Sequence, residues 1–297
     1  MPATTEEIAS YCCYLRSRLT PEQIEQTQNL AAALPDWQKI GGYKDIGARF
    51  LTLSKQLEER YGSATLSTMN RLLVTTKACA LPETIGQIPL TETIRALYPE
   101  ALQRLWSSLK HDKEDYLYPN EYYLKDIKFV TGATVPCGAM VLDLRSNINW
   151  KYPPLFLRNS WNKCWSFGKL QNKTPFFRSH LEQRHLQEFN EEGMRQFYIR
   201  AAELLVLHSD AQGLISASWF YDPLLESISP HLKHLWEMPT KNGAFLMRGF
   251  TSEFDIASAT SRSSTRMKLY EEGHYKPTCH LLVWPRDVLL RWYHTQK

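Results

Sequence analysis

Leu214-Ile215-Ser216-Ala217-Ser218-Trp219-Phe220, running into Tyr221-Asp222-Pro223, reads as a buried strand that turns into a helix. The run is short, apolar and bounded by polar residues, as a core strand should be. Asp222 offers an N-cap, and Pro223 fits the first helical position. Leu224, Leu225, Ile228, Leu232 and Leu235 then predict one core-facing helix over 223–236. Downstream, Ala244–Phe250 reads as a strand. Ser263–Glu272 reads as a helix closed by Gly273, Cys279–Trp284 as a strand and Pro285–Tyr293 as a helix. Upstream, Met194, Phe197, Tyr198, Ala201, Leu204 and Leu205 line one helical face. Pro175-Phe176-Phe177 opens a strand, and Phe129–Leu144 holds one or two more. Residues 147–173, with Trp150, Trp161 and Trp165, read as an irregular loop packed by its aromatics. Strands alternating with helices from 128 onward predict an α+β or α/β layer, a mixed sheet covered by helices.

Before residue 128 the pattern is helical. Pro21 opens a helix. Ile46, Phe50, Leu53, Leu57 and Tyr61 form one stripe. Ile94, Leu97, Tyr98, Leu102, Leu105, Trp106 and Leu109 form a second, with a kink or break expected at Pro99 and a cap at Thr91 or Thr93. Residues 111–126, charged and tyrosine-rich, read as a polar helix or a connector. Two regions are expected: a helical one over 1–127 and an α/β domain over 128–297.

The 297 residues are 43% hydrophobic and 22% charged, which excludes disorder of the whole chain. No apolar run approaches the ~18 residues that a membrane span needs. A net charge of +4 gives no electrostatic case for nucleic acid. The start, Met-Pro-Ala-Thr-Thr-Glu-Glu, shows no secretory pattern. The six cysteines are scattered and include no Cys-x-x-Cys pair. Free thiols in a reducing cytoplasm are expected, with no zinc site.

Three clusters carry candidate chemistry. His208-x-Asp210, with His274 or His280, has the composition of a ferrous dioxygenase triad. His208 ends a helix, however, where its charge simply suits the dipole. His180 and Glu182 share a face if extended, with His185 and Glu188 close by, and could hold a proton-transfer site. In Ser261-Arg262-Ser263-Ser264-Thr265-Arg266, a helix start and two arginines four apart predict an anion site. The plain readings are a solvated connector and a capped helix with solvated arginines. Ser218, Trp219 and Tyr221 end a strand of the sheet, where α/β folds bind ligands, and Tyr221 and Asp222 are expected at a pocket mouth.

Leu269-Tyr270-Glu271-Glu272-Gly273-His274-Tyr275 resembles the C-terminal signature of GNAT-type, acyl-CoA-dependent acyltransferases. The order strand 214–220, helix 223–236, strand 244–250, helix 263–272 and strand 279–284 is similar to theirs. The resemblance implies a GNAT-like sheet in which the first of these strands splays from its neighbour and pairs with the pantetheine arm. The following helix would receive the pyrophosphate. It implies acyl-CoA as co-substrate and Tyr270 as the acid that protonates the departing thiolate. The glycine-containing pyrophosphate loop of the family is replaced here by Trp219-Phe220-Tyr221-Asp222-Pro223.

The function expected on this basis is acyl transfer to a small-molecule or peptide amine. Tyr270 would be the acid and Glu182 or Glu188 the base, with His180 beside them. Ser261, Arg262, Arg266, Ser218, Trp219 and Tyr221 would hold the cofactor, and no metal is expected. A GNAT-like fold that binds another acidic ligand is a variant of this reading. The alternative is a non-catalytic interaction module. Nine tryptophans and fifteen tyrosines suit an interface with a protein partner or a second copy of the chain. A membrane or nucleic-acid partner is not expected.

Overall fold

A computed structural model describes residues 5–36, 38–39, 41, 44–110, 115–148 and 175–296. The expected aromatic loop over 147–173 therefore lies almost wholly outside the described residues. The chain divides into two compact units. Unit 1 comprises Met1–Cys137 and Asp143–Arg145; unit 2 comprises Gly138–Leu142 and Ser146–Lys297.

Unit 1 contains α1 (Thr5–Ser17), α2 (Pro21–Ala32), α3 (Ala48–Tyr61), α4 (Ser63–Cys79), α5 (Leu81–Gly86), α6 (Glu92–Arg95), α7 (Tyr98–Lys110), α8 (Glu121–Val130) and β1 (Thr134–Pro136). The hub is α4, which packs against α1, α2, α3, α5, α7 and α8. It is buried almost all round, with Leu66, Met69, Leu72, Leu73, Val74 and Ala78 in the core. Thr20 and Gln23 form a capping box at α2 around Pro21. The apolar stripe near Pro99 breaks there, with α6 ending at Arg95 and α7 starting at Tyr98.

The expected polar segment before 126 is different in the structure. Asn120 caps α8, and its residues from Tyr123 to Val130 are buried. Lys125 and Asp126 survive burial because they have partners. The Lys125 Nζ lies 2.8 Å from Glu121 Oε1, and the Tyr116 hydroxyl donates to Asp126 Oδ2 at 2.8 Å.

The remaining elements are β2 (Met140–Ser146), β3 (Phe176–Leu181), α9 (Glu191–Leu207), β4 (Gly213–Ser218), α10 (Leu225–Ile228), α11 (His234–Lys241), β5 (Phe245–Arg248), α12 (Glu253–Thr260), α13 (Ser264–Glu271), β6 (His280–Pro285) and α14 (Arg286–His294). The six strands form one mixed sheet in the order β1-β2-β3-β4-β6-β5, and the fold class is α+β. β4 runs parallel to β3 and antiparallel to β6, and β5 is antiparallel to β6. A parallel pair needs a crossover, and α9 supplies it.

In-register partners put their side chains on one face. Phe177, Leu214 and Trp284 share a face, where Trp284 meets Tyr198 of α9 at 5.3 Å and Trp292 of α14 at 5.1 Å. The other face carries an apolar cluster of Phe176, Ile215, Met247, Leu281 and Val283.

The single helix expected over 223–236 does not form. Pro230 disfavours helical backbone at Ser229, which sits at φ −145° and ψ 65°. The segment is instead α10, a short 3-10 turn at Pro230–Leu232 and α11.

Gly213 opens β4 at φ +145°, and an added Cβ would lie 2.3 Å from the Trp284 carbonyl oxygen. Both the backbone angle and the cross-strand neighbour require glycine. Gly213→Ala is expected to cost about 2–4 kcal/mol, read as a lower urea midpoint. A midpoint equal to wild type would show that the strand tolerates a side chain there.

Candidate functional site

In sheets containing parallel strands, ligands bind at the carboxyl ends, where the strand order or direction changes. β4 is such a position in unit 2, with its parallel partner on one side and its antiparallel partner on the other. The parallel register runs Phe177↔Leu214, Arg178↔Ile215 and Ser179↔Ser216. It goes no further, although β3 continues to Leu181 and β4 to Ser218. On its other side β4 stays paired to its end, with Ser218 opposite His280. Beyond β3, the Glu182 amide donates to the Ala139 carbonyl at 2.8 Å. The two strand ends therefore each follow their outer neighbours, and the ladder between them opens.

Two serines mark the last rung. The Ser216 Oγ accepts from the Tyr221 hydroxyl at 2.8 Å, and burial pushes Tyr221 up to about 12. The Ser179 Oγ is buried and has no hydrogen-bond partner among the described residues. His280 shares the face of Ser218 and Arg248, its partners across β6. Its Nδ1 lies 3.2 Å from the Thr278 carbonyl, which can only accept. The proton therefore resides on Nδ1 and the lone pair on Nε2. Burial, with smaller opposing effects from Thr278 and Asp222, lowers its pKa below the usual 6.5. The ring is neutral at pH 7 and can accept a proton there.

The loop after β3 places the expected carboxylates. Glu182 is buried, and both of its oxygens accept from Arg184, each at 2.9 Å. That bidentate pair holds the loop in shape. Glu188 Oε2 accepts from Arg200 Nη1 at 3.0 Å. The same oxygen fills the space over Gly138, where an added Cβ would lie 2.1 Å away and φ is +91°. Sequence reading missed Gly138, since nothing in the chain pairs residues fifty apart. His180 is extended within β3, on the opposite face from Ser179.

Trp219, Tyr221 and Asp222 are buried rather than set at a mouth. Trp219 Nε1 donates to Ser258 Oγ at 3.3 Å. Asp222 accepts from the amides of Leu224 and Thr278, so it ties the chain entering β6 to the end of β4. Ser218 caps the following turn through the Phe220 amide.

The two arginines do not share a helix face as expected. Ser263 is the N-cap of α13, which leaves Arg262 outside the helix and exposed, next to the exposed Ser261. Arg266 turns inward and is only 6% exposed. It donates from Nε to the Ala259 carbonyl at the end of α12 and from Nη1 to Ser229 Oγ at 2.9 Å. Its guanidinium carbon lies 4.9 Å from the Trp219 ring centre. These contacts tie the end of α12 into a small core of Trp219, Leu225, Ala259, Tyr275 and Cys279. Tyr270 is exposed on α13.

The expected His208-x-Asp210 pair ends α9. His208 is the C-cap, buried edge-on against Phe177 at 5.5 Å, with its carbonyl accepting from Arg286. Among the described residues no group of three metal-ligating side chains comes together. No described helix is long and apolar enough to cross a membrane.

No family model matches the chain, and no curated protein matches it. Among solved structures, it is similar to an acyltransferase in complex with CoA and 10C-teicoplanin. The TM-score is 0.40 and the identity 12%, over 95% of this chain and 100% of that one. A likeness of that size assigns neither fold nor activity.

The state of His280 has a consequence for stability. Its folded pKa lies below its unfolded value, so the unfolded chain binds the proton first as pH falls. The stabilisation is complete above pH 6.5 and is lost as pH falls through the folded pKa. His280→Asn is expected to flatten the loss of stability on acidification below pH 6.5, measured by urea unfolding at stepped pH. An unchanged acid slope would refute the assignment.

Proposed function

We propose that unit 2 is an acyl-CoA-dependent acyltransferase domain, which moves an acyl group from the thioester to an amine at the open carboxyl ends of β3 and β4. The observation that carries this reading is the end of the parallel ladder at Ser179↔Ser216, two residues before β4 ends. A pantetheine arm is an extended chain with two amides. It can add to a strand end as a peptide adds to a sheet edge. The element order that prompted the resemblance supports the same reading, moved one strand earlier. The opening strand pair is β3 and β4, and the helix that follows its first strand is α9.

The start of α9 does not suit a pyrophosphate. The Asn190 side chain already accepts from the Gly193 amide, and Glu191 and Glu192 stand in the first turn. Hydrogen bonds from Arg195, then Gln196, hold Glu192 down to about 2, so it stays charged. In this reading the strand ends hold the thioester arm, and the helix end leaves the nucleotide to solvent.

The chemistry balances with residues of this chain. The amine nitrogen attacks the thioester carbonyl; the C–N bond forms and the C–S bond breaks. His280 Nε2 takes the proton leaving the amine, and Tyr270 gives one to the departing thiolate. Glu182 and Glu188 hold the loop after β3 through Arg184 and Arg200 and act as positioning residues.

Acetyl-CoA and acetyl-pantetheine should both raise the melting temperature of the full chain. At about 100 times Kd the added stability is roughly 2.7 kcal/mol, or roughly 5–10 °C for a domain of this size. His280→Asn should keep that shift while losing turnover with an amine acceptor. No shift with either ligand at millimolar concentration would overturn the reading.

A further inference from the structure

Unit 1 contains a cavity of about 250 Å³, lined among others by Asp36, Lys39, Asp45, Lys128, Asp143 and Arg145. All of its lining residues belong to that one unit. Residues between α2 and α3 supply the rim, where Asp36, Lys39 and Asp45 are exposed. α8 and β2 supply the deeper wall through Lys128, Asp143 and Arg145.

Lys128 is the unusual member. It stands in the last turn of α8 and is only 8% exposed. No hydrogen bond or ion pair joins its ammonium to any described residue. Its side chain lines the cavity with no protein acceptor among the described residues. Burial accordingly pulls its pKa down, against the opposing pull of Asp143 and Asp45. Neither carboxylate reaches it: Asp143 Oδ1 accepts from Thr134 Oγ1 at 2.8 Å, and Asp45 Oδ1 accepts from the Gly47 amide at 3.2 Å. Asp36 Oδ1 accepts from the Gln38 amide at 2.9 Å. The two rim aspartates each keep a second oxygen with no hydrogen bond among the described residues.

The lining thus offers Lys128, with no acceptor among the described residues, at depth and two carboxylates beside Lys39 at the rim. An inorganic anion would answer Lys128 and Arg145 but bring no cation to the two rim aspartates. A simple amine would suit the rim but leave the ammonium bare. Only a ligand with both charges answers both needs.

We infer that this cavity binds a small zwitterion of the amino-acid type, with its carboxylate on Lys128 and its ammonium between Asp36 and Asp45. The inference does not depend on acyl transfer by unit 2. The test uses the full chain with L-alanine, L-glutamate and L-lysine as zwitterions, and acetate, methylammonium and phosphate as single-charge probes. Each is added at about 20 mM, well above a millimolar Kd. Acetylation of Lys128 by an activated ester is followed by peptide mass spectrometry relative to the exposed Lys55 and Lys268 of the same sample, so that reagent consumed by the added amines cancels, and the melting temperature is measured alongside. At least one zwitterion should slow labelling of Lys128 by roughly five-fold or more and raise the melting temperature. The single-charge probes should do neither. Asp45→Asn, at an exposed position, should weaken the protection while leaving the melting temperature of the ligand-free chain within a few degrees of wild type. Labelling unchanged by all three zwitterions, or equal protection by acetate or phosphate, would overturn the inference.

Discussion

The parallel pairing of β4 with β3 is the constraint on which the rest of unit 2 depends. Two adjacent parallel strands cannot be joined by a hairpin, so a helix must carry the chain back. That helix, α9, has to lie on the sheet, and its aromatic face is already matched to the strands through Tyr198 against Trp284. The crossover also places the carboxyl ends of β3 and β4 side by side. β6 then enters antiparallel, and its first residue arrives at the same end. Loops, strand ends and a histidine thus meet at one edge as a result of chain direction alone.

The same molecule shows two ways of placing charge indoors. In α4 the guanidinium of Arg71 is buried. It donates to the Leu109 carbonyl at 2.6 Å and lies 4.8 Å from the Tyr116 ring centre. Beside it, Asn70 donates to the Tyr116 carbonyl and accepts from the Tyr123 hydroxyl. Arg266 repeats the pattern in unit 2, with a helix-end carbonyl, a hydroxyl and an indole ring. Arginine suits this use, since its planar fork satisfies carbonyls while its face stacks on a ring. Lys128 lacks such neighbours, and the contrast sets it apart from the structural cations.

Sequence reading found the elements whose signal is local. The stripe from Ile94 to Leu109, the helix opened by Pro21 and the apolar strand at Leu214 each depend on neighbours within a few turns. It failed where partners are distant. The segment 111–126 read as polar because it is rich in charges such as Lys125 and Asp126, and only the fold shows their partners. The helix over 223–236 was read through Pro230, although proline constrains the residue before it. Of the candidate residues, Ser218 does stand at the end of β4. Trp219 and Tyr221 are buried for packing, a use of aromatics that composition cannot separate from ligand contact. The role of His280 rests on its strand partner and the carbonyl at Nδ1. Neither is visible in Cys279-His280-Leu281.

The strand order also sets a timetable for synthesis. β3, α9 and β4 lie within one stretch of chain and can associate as soon as they leave the ribosome. β6, which sits between β4 and β5 in the sheet, is made about sixty residues after β4. At roughly 5–20 residues per second, the inner edges of both strands wait several seconds for it. During that time Ile215 and Met247 belong to open edges that invite pairing with another nascent chain. α10, α11, α12 and α13, all translated in the interval, are the helices available to shield them.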